Sequence, residues 1–190
     1  VRLATENPHV FAIGEVGLDK SIEAPLDEQM KVFEKQVEIA DEAQLPVILH
    51  VVRAFNEMIA FMKSHRPAVP MIIHGYNGGL QVADELVKAG FLISFGQAIT
   101  GEHSKIVEAM QLVPLEKMFL ETDEGDIDIR ELYQFAADVN HLQVFVGQQL
   151  RQDRDHRAVD GAGALAAAGH ADAVLVDRLV LAQHGVGELH

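Results

Sequence analysis

The stretch Leu45-Pro46-Val47-Ile48-Leu49-His50 is a short apolar run that ends in a histidine. Its apolar residues follow one another without alternating polar positions, which is typical of a strand buried on both faces of a parallel sheet. Further runs of this kind occur at residues 10–14, 71–73, 91–95 and 118–120. The sequence therefore predicts five buried strands.

Segments with helical periodicity separate these runs. In them apolar residues recur at intervals of three and four positions, which predicts helices, over residues 25–43, 55–62, 80–87, 104–112 and 129–139. The alternation of strand and helix predicts an α/β fold with a parallel sheet and crossover helices. A (β/α) barrel and an open doubly wound sheet both satisfy this pattern. A complete eightfold barrel needs about 250 residues, so a barrel within these 190 residues is small or incomplete.

The composition restricts the chemistry that the chain can perform. It has no cysteine, which excludes disulfides, zinc–thiolate sites and a cysteine nucleophile. Its formal net charge is −14, so a basic face that binds nucleic acid is not expected. A nucleic acid is still possible as a substrate where bound metal ions supply positive charge locally.

We find no membrane-spanning segment and no signal peptide in the sequence, and we expect a cytoplasmic protein without a membrane partner.

Four of the predicted strands end at a side chain that can bind a metal ion, namely Glu15, His50, His74 and Asp123. The carboxyl ends of parallel strands line one rim of an α/β fold, so we expect these side chains to meet there. A mixed set of histidines and carboxylates suits zinc, manganese, iron or nickel better than calcium, and it suits magnesium if phosphate oxygens and water complete the shell. The alternative is that the histidines are ordinary rim residues and the carboxylates are helix N-caps.

Four motifs together resemble those of the TatD-type metal-dependent deoxyribonuclease/hydrolase family. They occur in the family order and are Gly14-Glu15-Val16-Gly17-Leu18-Asp19, Leu45-Pro46-Val47-Ile48-Leu49-His50, Ile73-His74-Gly75-Tyr76-Asn77-Gly78 and Phe119-Leu120-Glu121-Thr122-Asp123. The resemblance covers roughly residues 8–145. It implies a TIM-type (β/α) barrel of the metallo-dependent hydrolase kind. It also implies a centre of two divalent metal ions (zinc, manganese or magnesium) that hydrolyses phosphodiester bonds, with DNA as the expected substrate.

The same resemblance implies a role for each of the candidate residues. Glu15 would bridge the two ions, and His50 and His74 would complete one of the two sites. Asp123 would bind the other ion and help to activate the attacking water, which makes Glu15 and Asp123 the expected catalytic residues. Arg53 is a candidate to contact a substrate phosphate, and a solvated residue in the first turn of a helix is the alternative. Asp19 is expected to be a structural loop or capping residue.

The chain also departs from the family pattern. The first strand of family members carries a His-x-His pair that ligates the second metal ion, and no such pair precedes Val10. We therefore expect an incomplete barrel without that strand. We expect it to bind one ion and to show nuclease activity far below that of a complete homologue. After Asp123 the chain continues with Glu124 and Gly125, where family members often have Ala-Pro.

A change of composition divides the chain into two parts. Residues 1–150 are predicted to form the barrel domain, whereas residues 151–190 contain no Lys, Ile, Met, Phe or Tyr and are rich in Ala, Gly, Val, Asp and His. We expect this tail to pack poorly, with an ordinary Ala-rich helix as the alternative. For the barrel domain the leading interpretation is a hydrolase of DNA. The alternatives are an amidohydrolase-like enzyme acting on a small ester or C–N substrate, and an inactive truncated fragment that binds metal.

Overall fold

The computed structural model describes residues 1–101, 104–123 and 127–140. In this part of the chain five strands alternate with five α-helices. Their bounds are β1 Ile13–Asp19, α1 Leu26–Ala43, β2 Val47–Val52, α2 Phe55–His65, β3 Met71–Ile73, α3 Leu80–Ala89, β4 Leu92–Phe95, α4 Ser104–Leu112, β5 Met118–Leu120 and α5 Ile129–Val139. The tail predicted for residues 151–190 and the domain boundary at residue 150 lie outside the described residues.

The strands form one parallel sheet in the order β1-β2-β3-β4-β5. A doubly wound sheet reverses its strand order at a switch point, whereas a barrel places each new strand beside the previous one. The consecutive order therefore decides between the two alternatives in favour of a (β/α) barrel. The described residues provide five of its strands, and a complete barrel has eight. The described part of the chain thus forms an incomplete TIM-type barrel.

The two faces of the sheet differ in burial. On β2, Val47 and Leu49 are fully buried, whereas Ile48 is half-buried and His50 is exposed. Because successive side chains of a strand point to opposite faces, Ile48 and His50 share one face. In a (β/α) barrel the helices cover the outer face, so His50 lies on the inner one. The prediction of strands buried on both faces therefore fails for β2, whereas on β4 the successive residues Ile93, Ser94 and Phe95 are all buried.

The predicted bounds of the first two strands are wrong. β1 begins at Ile13 rather than Val10 and continues to Asp19, and β2 continues past His50 to Val52. Parallel pairing joins Gly17 to His50 and Asp19 to Val52, so hydrogen bonding carries both strands beyond their most apolar stretch. Consequently Glu15 and His50 lie within strands and not at their ends.

A bulge interrupts β1 near Glu15. Ile13 is paired with Val47 and Val16 with Leu49, so three steps along β1 match two steps along β2. The extra residue changes the direction in which the side chains of β1 point, as β-bulges do. Ile13 and Val16 are both buried, whereas the intervening Gly14 and Glu15 are exposed.

Within the described ranges, none of the helices has both the length and the apolar character that crossing a membrane requires.

At Gly17 β1 leaves no room for a side chain beside β2. Its φ is 149°, and a Cβ placed on it would lie 2.1 Å from the carbonyl oxygen of His50. Real Cβ atoms do not approach backbone oxygens so closely. A side chain at this position would therefore push β1 away from β2.

We predict that Gly17→Ala lowers the free energy of unfolding by about 1–3 kcal/mol, the usual cost of overpacking a well-packed site. The measurement is urea unfolding followed by circular dichroism. The matched control is Gly79→Ala, because a Cβ at Gly79 would meet nothing within 4 Å. Gly79 precedes α3 as its N-cap, where alanine is expected to cost less than about 1 kcal/mol. Equal losses for the two variants would contradict the steric argument.

Candidate metal centre

Strand pairing brings three metal-capable side chains together. Glu15 lies on β1, His50 lies on β2 and His74 directly follows β3. The N–H of His74 donates to the carbonyl oxygen of Leu49 at 3.0 Å, so strand-like pairing continues past β3 and places His74 beside His50. One donor atom from each of the three side chains lies within 4.8 Å of the other two.

The donor atoms are spaced like the ligands of one ion. Glu15 Oε2 lies 3.1 Å from His74 Nε2 and 3.8 Å from His50 Nδ1, and the two histidine nitrogens are 3.2 Å apart. With bonds of about 2.0–2.2 Å, neighbouring ligands of a tetrahedral or octahedral ion are separated by about 3.0–3.6 Å. Two separations fall in this range and the third is slightly longer. Two imidazole nitrogens and a carboxylate oxygen therefore fit a divalent ion such as zinc or manganese.

The two histidines turn opposite ring nitrogens toward Glu15, and the remaining nitrogen of each faces a further carboxylate. His50 Nε2 lies 3.8 Å from Asp19 Oδ2, and His74 Nδ1 lies 3.5 Å from Glu121 Oε1. Histidines that bind metals usually direct their second N–H toward a carboxylate or carbonyl, which selects the tautomer and orients the ring. The surroundings of both rings therefore suit metal ligation.

Asp19 has the loop role expected from the sequence and also faces the centre. Its carboxylate accepts hydrogen bonds from the hydroxyl and the backbone N–H of Ser21. These two bonds hold the pKa of Asp19 below its ordinary value. The proximity of Asp19 to His50 was not predicted, because it depends on the pairing of β1 with β2 as far as Val52.

Glu121 was missed by sequence reasoning. It directly follows β5, and its side chain is 10% exposed. The backbone N–H of Gly75 donates to its Oε1, and the buried hydroxyl of Ser94 donates to its Oε2. The signal that could have identified it is a carboxylate placed immediately after a buried strand, two positions before Asp123.

The electrostatic surroundings of His74 favour its protonated form when no metal ion is bound. The adjacent Glu121 carboxylate is the main cause that raises the pKa of His74, and the charges of Glu15 and Asp123 act in the same direction. Partial burial of the ring opposes them. Three carboxylates thus act on one imidazole, which is the kind of field that also attracts a cation.

The other two predicted site residues stand apart from the three donors. Asp123 is exposed beyond β5, and within the described residues it is not one of the gathered donors, although its charge reaches His74. Residues 124–126, which include the predicted departure from the family pattern, lie outside the described residues. Arg53 directly follows β2, is exposed and has a φ of 55°.

A cleft of about 570 Å³ opens beside the centre. Glu15, Asp19 and His50 line one side of it. Ile22 and Val32 line it as well, and both are more than half exposed. Glu15 and His50 are therefore reachable from solvent by a ligand larger than water.

Comparison with known families identifies the chain. The family described as TatD related DNase matches residues 1–140. The chain belongs to this family. The match confirms the resemblance carried by the four motifs.

Individual relatives give the same assignment for this TatD-family chain. It is 34% identical over 122 residues to the uncharacterized metal-dependent hydrolase YjjV of Escherichia coli, which covers 63% of this chain and 47% of the relative. It is 40% identical over 126 residues to the putative deoxyribonuclease tatdn3 of Danio rerio (63% and 46%). It is 34% identical over 127 residues to the 3'-5' ssDNA/RNA exonuclease TatD of Erwinia billingiae (64% and 48%). The chain thus spans about half the length of the curated relatives it matches.

Solved structures of the family share the fold. The crystal structure of YjjV, a TatD homologue from Escherichia coli K12, matches with a TM-score of 0.65 at 27% identity over 73% of this chain and 60% of that chain. A TatD-family hydrolase from Entamoeba histolytica matches with a TM-score of 0.60 at 15% identity over 70% and 58%. The second similarity supports the fold alone.

We predict that His50→Ala and His74→Ala each weaken the binding of zinc or manganese more than about 100-fold, because a lost ligand costs more than the 10–100-fold typical of an outer partner. Isothermal titration calorimetry measures the affinity. His9→Ala is the control, since His9 is exposed in the segment before β1. Unchanged affinity in both test variants would remove these histidines from the metal site.

Proposed function

We propose that this protein is a metal-dependent hydrolase that cleaves phosphodiester bonds, with DNA as its substrate. The observation that carries the proposal is the spacing of Glu15, His50 and His74, whose donor atoms fit one divalent ion. Membership of the TatD related DNase family supports the choice of a phosphodiester. The relative from Erwinia billingiae is named as an exonuclease for single-stranded DNA and RNA, and one from Schizosaccharomyces pombe as a deoxyribonuclease.

The metal would be zinc, manganese or magnesium, held by His50 Nδ1, His74 Nε2 and Glu15 Oε2. A bound divalent ion lowers the pKa of a coordinated water and neutralises charge on phosphoryl oxygens. The side chain of Glu15 is 47% exposed, so its carboxylate is open to a second ion as well. We therefore assign Glu15 the bridging role in a two-metal centre.

Asp123 would serve as the general base. Its charge reaches His74, and the residue is exposed toward solvent, so its carboxylate can take the proton of an attacking water molecule. The proton would rest on a carboxylate oxygen of Asp123 and pass from there to solvent. In the complete two-metal centre the same residue would also be a ligand of the second ion.

Arg53 would contact the substrate. Its guanidinium belongs to the residue that directly follows β2, three positions after His50, and it lowers the pKa of Asp19 through its charge. A guanidinium can bind a phosphate oxygen pair with two parallel hydrogen bonds. In a chain with a net charge of −14, such a local cation would offset the repulsion between protein and DNA.

We predict that the metal-loaded protein hydrolyses single-stranded DNA, that a chelator abolishes this activity and that His74→Ala abolishes it as well. The assay measures release of nucleotides from a labelled oligonucleotide in the presence of manganese, zinc or magnesium. His9→Ala should keep the activity of the unaltered protein. A parallel panel of lactones and amides tests the amidohydrolase-like alternative. Turnover of that panel without any DNA hydrolysis would refute the proposed substrate.

We further predict that Asp123→Asn lowers kcat by about 10²–10⁴-fold, the usual contribution of a general base. The affinity of the first metal ion should change little, because Asp123 is not among the three gathered donors. Asp138→Asn, at the exposed end of α5, removes one carboxylate charge elsewhere and serves as the control. A variant of Asp123 with normal kcat would exclude it as the base.

A further inference from the structure

We infer that Glu121 is a positioning residue of the metal centre, which holds the ring of His74 by Nδ1 so that Nε2 is presented to the ion. The inference rests on the metal centre proposed above and adds a residue that is not itself a ligand. It is carried by the contacts of Glu121, which follows β5, with residues of β4 and with residues that follow β3.

A backbone hydrogen bond determines the position of Glu121 at the end of β5. Its N–H donates to the carbonyl oxygen of Phe95 at 3.0 Å, which extends the pairing of β5 with β4 by one residue. The side chain then runs across the end of β4 toward β3. Its Oε2 accepts from the hydroxyl of Ser94 on β4, and its Oε1 accepts from the N–H of Gly75 after β3. With one donor on each oxygen, the carboxylate has little freedom to rotate.

The third neighbour of this carboxylate is His74. Nδ1 of His74 lies 3.5 Å from Glu121 Oε1, while Nε2 lies 3.1 Å from Glu15 Oε2 on the other side of the ring. An ionised carboxylate only accepts hydrogen bonds, so it favours the proton on the nitrogen that faces it. Glu15 faces Nε2 in the same way, so Glu121 selects the tautomer only when a metal ion takes the place of a proton between Nε2 and Glu15. The remaining proton then sits on Nδ1 against Glu121, and the lone pair of Nε2 is free for the ion. This is the tautomer that ligation through Nε2 requires.

A purely structural role accounts less well for a carboxylate at this position. Burial of a charged group is costly unless the group is paired and hydrogen-bonded. Ser94 and Gly75 are both neutral donors, which a neutral amide oxygen would also satisfy in part. The nearby imidazole is the group that gains from a negative charge, because the charge makes the ligating nitrogen a stronger base.

The two histidines of the centre differ in their exposure and in their distance from a carboxylate. His74 is 12% exposed and faces a carboxylate that is 10% exposed. His50 is 47% exposed, and its partner Asp19 lies 3.8 Å away with 20% of its side chain exposed. We therefore expect removal of the carboxylate to disturb His74 more than His50.

The test compares Glu121→Ala, Glu121→Gln and the control Glu116→Gln, which alters an exposed glutamate just before β5. The first measurement is the ring nitrogen of His74 that binds zinc, read from the ring ¹⁵N chemical shifts and couplings of the zinc-loaded protein by NMR. The second is the affinity for manganese or zinc by calorimetry.

We expect the unaltered protein and Glu116→Gln to bind zinc through Nε2 of His74 and to carry the proton of the ring on Nδ1. Glu121→Ala should lose this preference and bind metal about 10–100-fold more weakly. Glu121→Gln should keep the tautomer, because its oxygen can take the place of Oε1, and should lose about three- to tenfold in affinity through the missing charge.

The outcomes separate the inference from the function on which it rests. If the unaltered protein binds no metal ion, the proposed centre itself fails. If the unaltered protein binds metal and Glu121→Ala keeps both its tautomer and its affinity, only the role of Glu121 is overturned. If Glu121→Ala does not fold, Glu121→Gln decides, and an affinity equal to that of the unaltered protein would overturn the inference.

Discussion

The parallel pairing of β1, β2 and β3 is the constraint on which the site depends. Glu15, His50 and His74 are separated by 35 and 24 positions in sequence, and backbone hydrogen bonds between neighbouring strands bring them side by side. A shift of one residue in either pairing would turn a donor to the opposite face of the sheet. Gly17 lets β1 approach β2 closely enough for this register. Backbone pairing therefore determines where the three donor side chains of the candidate metal centre lie.

The negative charge of the same centre makes the binding of an anionic substrate depend on bound cations. Glu15, Asp19, Glu121 and Asp123 surround two histidines, in a chain whose net charge is already −14. Without a cation, this cluster repels an anionic substrate. A bound divalent ion offsets two of these four negative charges, so the local potential becomes less negative while the rest of the surface is unchanged. Such a protein would bind a phosphodiester at its metal centre, and the surrounding surface would contribute little to affinity.

Much of the fold could be predicted because its signals are local. The apolar runs at β3 and β5 and the periodicity of α4 and α5 are bounded by clear breaks in the sequence, and the predicted ranges coincide with the observed ones. β1 was misplaced because its second half, from Gly17 to Asp19, has only one large apolar side chain and is a strand through its pairing with β2. Three of the candidate site residues could be named from motifs. Glu121 directly follows a buried strand, which is a local signal, but its contacts depend on the ends of β3, β4 and β5 lying side by side and could not be predicted.

The bulge in β1 has a consequence for how the chain tolerates change. In a regular strand, positions an odd number apart face opposite ways, yet Ile13 and Val16 both enter the core. The bulge therefore shifts the alternation of side chains by one position. Odd-numbered residues face the core before it and even-numbered residues after it, and Glu15 lies between the two parts. Deleting Gly14 would leave Ile13, Val16 and Leu18 two positions apart along a regular strand, so all three could still face the core. The extra residue is consequently not needed by the core, and its deletion would remove the bulge that sets the direction of Glu15 while leaving the apolar side chains in place.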